Sequence, residues 1–225
     1  IISKRTLCIV VDTYQAGLVE SKEILEKCGR VAVIDHHRKG VGYIQNPDLV
    51  CHEPYSSSAS ELVTELLQYV GERDDKPNRV EAEGLLSGIM LDTRDFTLHT
   101  GVRTFEAAAA LRRYGAETER VRQLFDVTMV EYNAKAGLVE KAKMYRNCAI
   151  SIGGEVAAEA RVAIAQAAND LLTIQGVDAS FVAVQVGTGV NVSARSLGAV
   201  NVQVIMESLG GGGHQTMAAA QLKHI

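Results

Sequence analysis

The chain has 225 residues, a formal net charge of -4, and 47% hydrophobic and 22% charged residues. That balance supports a buried core and excludes an intrinsically disordered chain, and the negative charge excludes a protein that grips long nucleic acid through a basic surface, leaving a small anionic ligand in a local pocket compatible. No apolar stretch reaches the roughly 18 residues of a membrane-spanning helix, no signal peptide opens the chain, and the four cysteines, Cys8, Cys28, Cys51 and Cys148, form no Cys-x-x-Cys pair and read as thiols of a reducing compartment.

In chain order, Leu7 to Val11 is an apolar run ending in Asp12, and Val31 to Ile34 is another ending in Asp35. Between them Ser21 to Cys28 has helical patterning, with Ser21 placed to cap the helix and Gly29 to end it. Strand, helix, strand at this spacing predicts a parallel βαβ unit, and uninterrupted Val/Ile runs suit strands buried on both faces. Ser58 with Glu61 has the spacing of a capping box ahead of an amphipathic helix through Leu62, Val63, Leu66 and Leu67. A second helix is predicted after Pro77 and Asn78, running toward Gly88 to Asp92, and an alanine-rich third follows Thr104 and stops at Gly115. The first part is therefore expected to be an α/β domain over 1–125, followed by a charged helical linker over 126–146. A smaller α/β domain over 147–225 follows, with a strand at Cys148 to Ile152, a helix around Val162 to Ile174, strands at Phe181 to Val186 and Val190 to Ala194, and a last helix near Val200 to Leu209.

The chemistry concentrates at the ends of these elements. Asp35-His36-His37 leaves a buried strand with carboxylate and imidazole side by side, ligands suited to manganese, iron or zinc. A polar loop exit serving nearby backbone groups is the plain alternative. Asp12 and Asp92, each at the end of an apolar run, shift the balance. All three groups are predicted at strand ends of one sheet, where open α/β folds bind ligands, and together they can converge on divalent cations. Further on, Gly210 to Gly213 followed by His214 can form a loop whose backbone N–H groups cradle a phosphate, and Arg195, in Ser193-Ala194-Arg195-Ser196, can bind phosphate bidentately.

These motifs, in this order and over essentially the whole chain, resemble the DHH phosphoesterase superfamily with its DHH-associated second domain. Pro54 to Leu62, Asp95 to Gly101, Arg103 to Phe105 and Asn201 to Glu207 resemble the GdpP-type cyclic di-AMP phosphodiesterases more than the related nanoRNases and 3'-phosphoadenosine-5'-phosphate phosphatases. The resemblance implies a parallel-sheet domain and a smaller α/β domain with a cleft between them. It implies Asp12, His36 and Asp92 as ligands of two Mn2+ ions bridged by Asp12, and His37 facing the scissile phosphate. Arg195, Gly211, Gly212, Gly213 and His214 are implied to hold the nucleotide. The implied reaction is hydrolysis of cyclic di-AMP to linear 5'-pApA, with a cyclic dinucleotide as partner and a homodimer left open. The alternatives are a nanoRNase or 3'-phosphoadenosine-5'-phosphate phosphatase of the same superfamily, and a non-catalytic nucleotide-sensing module. The family also implies a cytoplasmic location tethered to the membrane through an N-terminal part. Relatives carry a His-x-x-x-Asp-x-Asp segment upstream of the strand that precedes Asp12, and no such spacing occurs in these 225 residues. With an opening at Ile1 that runs almost at once into a strand, this predicts a fragment of something longer, whose metal site is incomplete as the chain stands.

Overall fold

A computed structural model describes residues 2–38, 40, 42–69, 76–155 and 161–223. The chain divides into two compact units, Ile1–Asp126 and Val127–Ile225. Among the described residues no helix is long and apolar enough to cross a membrane.

The first unit contains a parallel three-stranded sheet of β1 (Leu7–Val11), β2 (Arg30–Asp35) and β3 (Leu49–His52), side by side in that order. Val11 pairs with Ile34, and Asp35 with His52, so the three carboxyl ends lie together. Helix α1 (Lys22–Lys27) makes the β1–β2 crossover, with Ser21 accepting from the Ile24 amide. Gly29 does not end α1 in a left-handed turn. The chain there runs so close to Lys4 that a Cβ on residue 29 would lie 1.8 Å from the Lys4 carbonyl oxygen. Burial on both faces holds for the end of β2, where Ala32 to Asp35 are all buried. In β1, by contrast, Leu7, Ile9 and Val11 are each at least half exposed.

Four helices complete this unit: α2 (Ala59–Leu67), α3 (Arg79–Thr93), α4 (Val102–Arg113) and α5 (Thr118–Gln123). Leu86 and Ile89 of α3, Leu111 of α4 and Val121 of α5 form a shared core. Asn78 closes a full capping box with Glu81. Ser58 caps α2 by accepting from the Glu61 amide, but the Glu61 side chain turns away, fully buried, to accept from the hydroxyls of Ser56 (2.9 Å) and Ser57 (2.5 Å). Burial pushes the Glu61 carboxyl up, and the bonds from Ser57, Thr104 and Ser56 outweigh it, leaving it below the ordinary glutamate value.

A buried carboxylate held this way stabilises the fold only while ionised. Its folded value lies below the ordinary value of 4.5, so the contribution is complete above 4.5 and fades as pH falls through the folded value. Glu61→Gln is expected to cost about 1–3 kcal/mol at pH 7. Denaturant unfolding should show the gap to the unsubstituted protein narrowing as the medium is acidified below that range.

The second unit is built on a six-stranded sheet in the order β4-β5-β6-β7-β9-β8, from β4 (Lys143–Tyr145), β5 (Cys148–Glu155), β6 (Ala179–Val186), β7 (Gly189–Ser196), β8 (Gly212–His214) and β9 (Met217–Lys223). β5 and β6 are parallel, joined through α7 (Arg161–Leu171), and the other pairs are antiparallel. α8 (Val202–Ser208) covers Ala179, Ala194, Ala218 and Ala220 through Val202 and Met206. The segment expected as a linker belongs to this unit. Within it α6 (Met129–Glu140) buries Leu138 with Ile164, Leu171 and Val182, so its charge is one solvated face of a core helix.

Candidate metal and nucleotide sites

Asp12 follows β1 in a left-handed conformation, φ 61°, which only a small polar side chain adopts at modest cost. Its amide still donates to Ile34 O at 3.0 Å, so the strand pairing holds while the side chain is re-aimed. His36 leaves β2 with its side chain mostly buried, and its Nε2 lies 3.4 Å from Asp12 Oδ1 and 3.6 Å from Asp92 Oδ2. Asp12, His36 and His37 each offer a donor atom, and these lie within 4.8 Å of one another. Among the described residues this is the one cluster of His, Cys, Asp and Glu with such spacing.

Asp92 lies beside His36 but outside that group of three, and it comes from a different element than the sequence suggested. It sits in the last turn of α3, so the apolar run before it is helix and not a strand, with Ile89 and Met90 buried and Leu91 exposed. Immediately after it, Arg94, Asp95 and Phe96 all have positive φ. Thr93 Oγ1 accepts from the Phe96 amide at 2.9 Å, Asp95 pairs with Arg122 at 2.8 Å, and Phe96 stacks on Phe105. A turn held at so many points fixes the direction in which α3 presents Asp92.

The His36 imidazole and the Asp92 carboxylate shift one another's titration. Burial lowers the His36 pKa, but the hydrogen bond to Asp12 and the charges of Asp92 and Asp12 outweigh it, leaving the imidazole above its ordinary value. Asp92 is pushed up by burial and by Asp12. Asp35, which the resemblance does not count among the ligands, is fully buried and organises the pair that follows it. Its Oδ1 accepts from the His36 amide (2.9 Å), the His37 amide (3.3 Å) and His37 Nδ1 (2.7 Å). Burial pushes Asp35 up, and these bonds together with the His37 charge hold it below its usual range. With Nδ1 committed to Asp35, any role of His37 toward a ligand falls to Nε2. This carboxylate–histidine pairing is the arrangement that orients imidazoles around metals. Among the described residues, Asp35 Oδ2 is buried without a hydrogen-bond partner.

In the second unit, Arg195 near the end of β7 is 7% exposed. Its Nε donates to Asn169 Oδ1 at 3.0 Å, and its Nη1 donates to Ala194 O at 2.9 Å and Ser193 Oγ at 3.3 Å. It lines a concavity of about 410 Å³ with Ile164, Asn191, Gly212, Gly213 and Met217 among its walls. That volume lies within the range of small-molecule sites.

The glycine run differs from the expected phosphate-cradling loop. Gly210, φ 76°, ends α8 in a left-handed turn, and Gly212 to His214 form β8, an edge strand on β9. A Cβ on Gly211 would lie 2.1 Å from Ala219 O, and one on Gly213 would lie 2.5 Å from Ala218 Cα. Glycine is required here for close backbone approach between strands. Gly212 and Gly213 line the concavity, whereas Gly211 and the exposed His214 are not among its lining residues.

Residues 1–89 match the model of the DHH family, N-terminal domain, and residues 154–224 match that of the DHHA1 domain. The chain is 51% identical over 227 residues to the cyclic-di-AMP phosphodiesterase GdpP of Geobacillus thermodenitrificans, covering 100% of this chain and 34% of that protein. It is 44% identical over 226 residues to the cyclic-di-AMP phosphodiesterase PdeA of Listeria monocytogenes, with the same coverage of 100% and 34%. The chain thus spans about a third of the length of the curated relatives it matches. Among solved structures, an exopolyphosphatase-related protein from Bacteroides fragilis superposes with a TM-score of 0.82 at 20% identity, over 95% of this chain and 65% of that one, a likeness of fold.

Proposed function

The chain belongs to the DHH family and carries a DHHA1 domain, and from that premise we propose that it is the catalytic part of a divalent-metal phosphodiesterase that opens cyclic di-AMP to linear 5'-pApA. The observation that carries this reading is His36 Nε2 standing within 3.6 Å of carboxylate oxygens of both Asp12 and Asp92, in a chain that matches two cyclic-di-AMP phosphodiesterases over all of its own residues and about a third of theirs.

The donor set fits a hard or borderline cation. Carboxylate oxygen and imidazole nitrogen without thiolate favour manganese among the common ions. Asp12, His36 and Asp92 would hold it, and when bound it would acidify a water and neutralise charge on the phosphoryl oxygens. His37, fixed by Asp35, would face the phosphate through Nε2. Arg195 and the wall made by Gly212 and Gly213 would hold the nucleotide, with the guanidinium already oriented by Asn169 and Ser193. The reaction adds one water across one P–O3' bond, leaving a 5'-phosphate and a free 3'-hydroxyl.

The test is to supply cyclic di-AMP, linear 5'-pApA and 3'-phosphoadenosine 5'-phosphate separately, with Mn2+, to the full-length protein and to follow products by chromatography. Consumption of cyclic di-AMP with accumulation of 5'-pApA is expected. Faster cleavage of either linear nucleotide would move the protein to the nanoRNase or bisphosphate-phosphatase class. Binding of all three without turnover would make it a nucleotide-sensing module.

A further inference from the structure

The loop that carries His36 and His37 is also gripped by two side chains with no role so far. His52 ends β3 directly beside Asp35 in the sheet register, and its Nε2 lies 2.5 Å from His37 O. Tyr14, 6% exposed, sets its ring edge against His52, with centroids 5.8 Å apart and planes at 81°. The Tyr14 hydroxyl donates to Arg38 O at 2.7 Å and accepts from the Gly40 amide. Tyr14 is itself fixed by the Ile44 amide, which donates to its carbonyl at 2.8 Å, and by packing with Val10, Val33 and Ile44.

We propose that His52 and Tyr14 are positioning residues that clamp the His37–Arg38 peptide and so keep His36 and His37 aimed at the metal and the substrate phosphate. The inference rests on the phosphodiesterase reading for its catalytic consequence, and on geometry alone for its effect on the donor cluster. Asp35 binds the amides of His36 and His37, and the clamp binds the carbonyls of His37 and Arg38 and the amide of Gly40. Tyr14 lies two residues beyond Asp12, so one side chain ties the segment bearing Asp12 to the loop bearing His36. Relaxing either contact lets the 3.4 Å spacing between Asp12 Oδ1 and His36 Nε2 drift, and sites of this kind tolerate about half an ångström. A plain stabilising role for His52 as an end-cap of β3 would need no donor in particular, and that difference is testable.

His52→Phe keeps a ring against Tyr14 and removes the N–H. His52→Gln keeps an N–H donor and removes the ring. Tyr14→Phe removes only the hydroxyl. Manganese affinity by calorimetry, kcat and KM for cyclic di-AMP, and thermal midpoint are measured for each in the full-length protein. His52→Phe and Tyr14→Phe are expected to lose on the order of 10- to 100-fold in manganese affinity and kcat, the usual consequence of changing an outer partner of a metal ligand, with KM unchanged. His52→Gln should recover most of the loss. Changes confined to the thermal midpoint, or a His52→Gln variant as impaired as His52→Phe, would overturn the clamp. Absence of cyclic di-AMP turnover in the unsubstituted protein would sink the phosphodiesterase reading alone, because the manganese titrations still decide the clamp. Absence of manganese binding there would overturn both.

Discussion

His36→Ala is expected to lose at least about 100-fold in cyclic di-AMP turnover and to bind manganese measurably more weakly, with little change in thermal midpoint. Changing an outer partner of a metal ligand costs about 10- to 100-fold, so removing a donor itself should cost no less. His36 Nε2 lies within 3.6 Å of both Asp12 and Asp92, so its loss leaves two carboxylates facing one another without the group that relieves their repulsion. Asp92 is already pushed up by burial and by Asp12, with His36 the main opposing influence, so the variant favours a protonated Asp92 and a poorer cation site. The fold should survive, because the contacts that shape the loop at this point use the backbone: the His36 amide binds Asp35, and β2 ends one residue earlier. Calorimetric titration with manganese beside a turnover assay checks both halves. A variant with near-normal turnover would remove His36 from the donors.

The same cluster shows how far a sequence can be read. β1 and β2 were legible because a short uninterrupted apolar run that stops at an acid suits a sheet strand and little else, and Ser21, Ser58 and Asn78 all cap the helices their positions imply. Asp92 was expected at a strand end and lies in a helix. The run Gly88-Ile89-Met90-Leu91 has the composition of a short strand, and the glycine looks like a break. In the fold Gly88 lies inside α3, where a Cβ would fall 2.1 Å from Ser60 Oγ, so it permits close packing of α2 and α3. Strand β3 has only four residues and two of them, Leu49 and Val50, are half exposed, which leaves no periodic signal. Without β3, His52 could not be placed beside Asp35, and the clamp on His37 was invisible. Glu61 was read as half of a capping box because spacing reports which residues can meet. It does not report that Ser56 and Ser57 compete for the carboxylate and win.

Gly213→Ala is expected to weaken nucleotide binding by tenfold or more, about 1.4 kcal/mol at the threshold, while leaving manganese affinity unchanged. At φ 144° the residue occupies backbone space that side chains other than glycine's rarely enter, and a Cβ would stand 2.5 Å from both Ala218 Cα and Met217 O. Both obstacles are backbone of β9, which is held on its other side by β7, so the edge strand β8 must give way. Its departure removes the wall that Gly212 and Gly213 supply beside Arg195. The cores around Leu171 and Met206 do not include β8, so the second unit should stay folded, and the metal donors all belong to the first unit. His214→Ala should weaken nucleotide binding less, since His214 is exposed and outside the lining of the concavity, although its strand is the same. Titrations with manganese and with a non-hydrolysable cyclic di-AMP analogue separate the outcomes. Parallel loss of both affinities in Gly213→Ala would show that β8 supports more than the nucleotide wall, and unchanged nucleotide affinity would place the ligand elsewhere than beside Arg195.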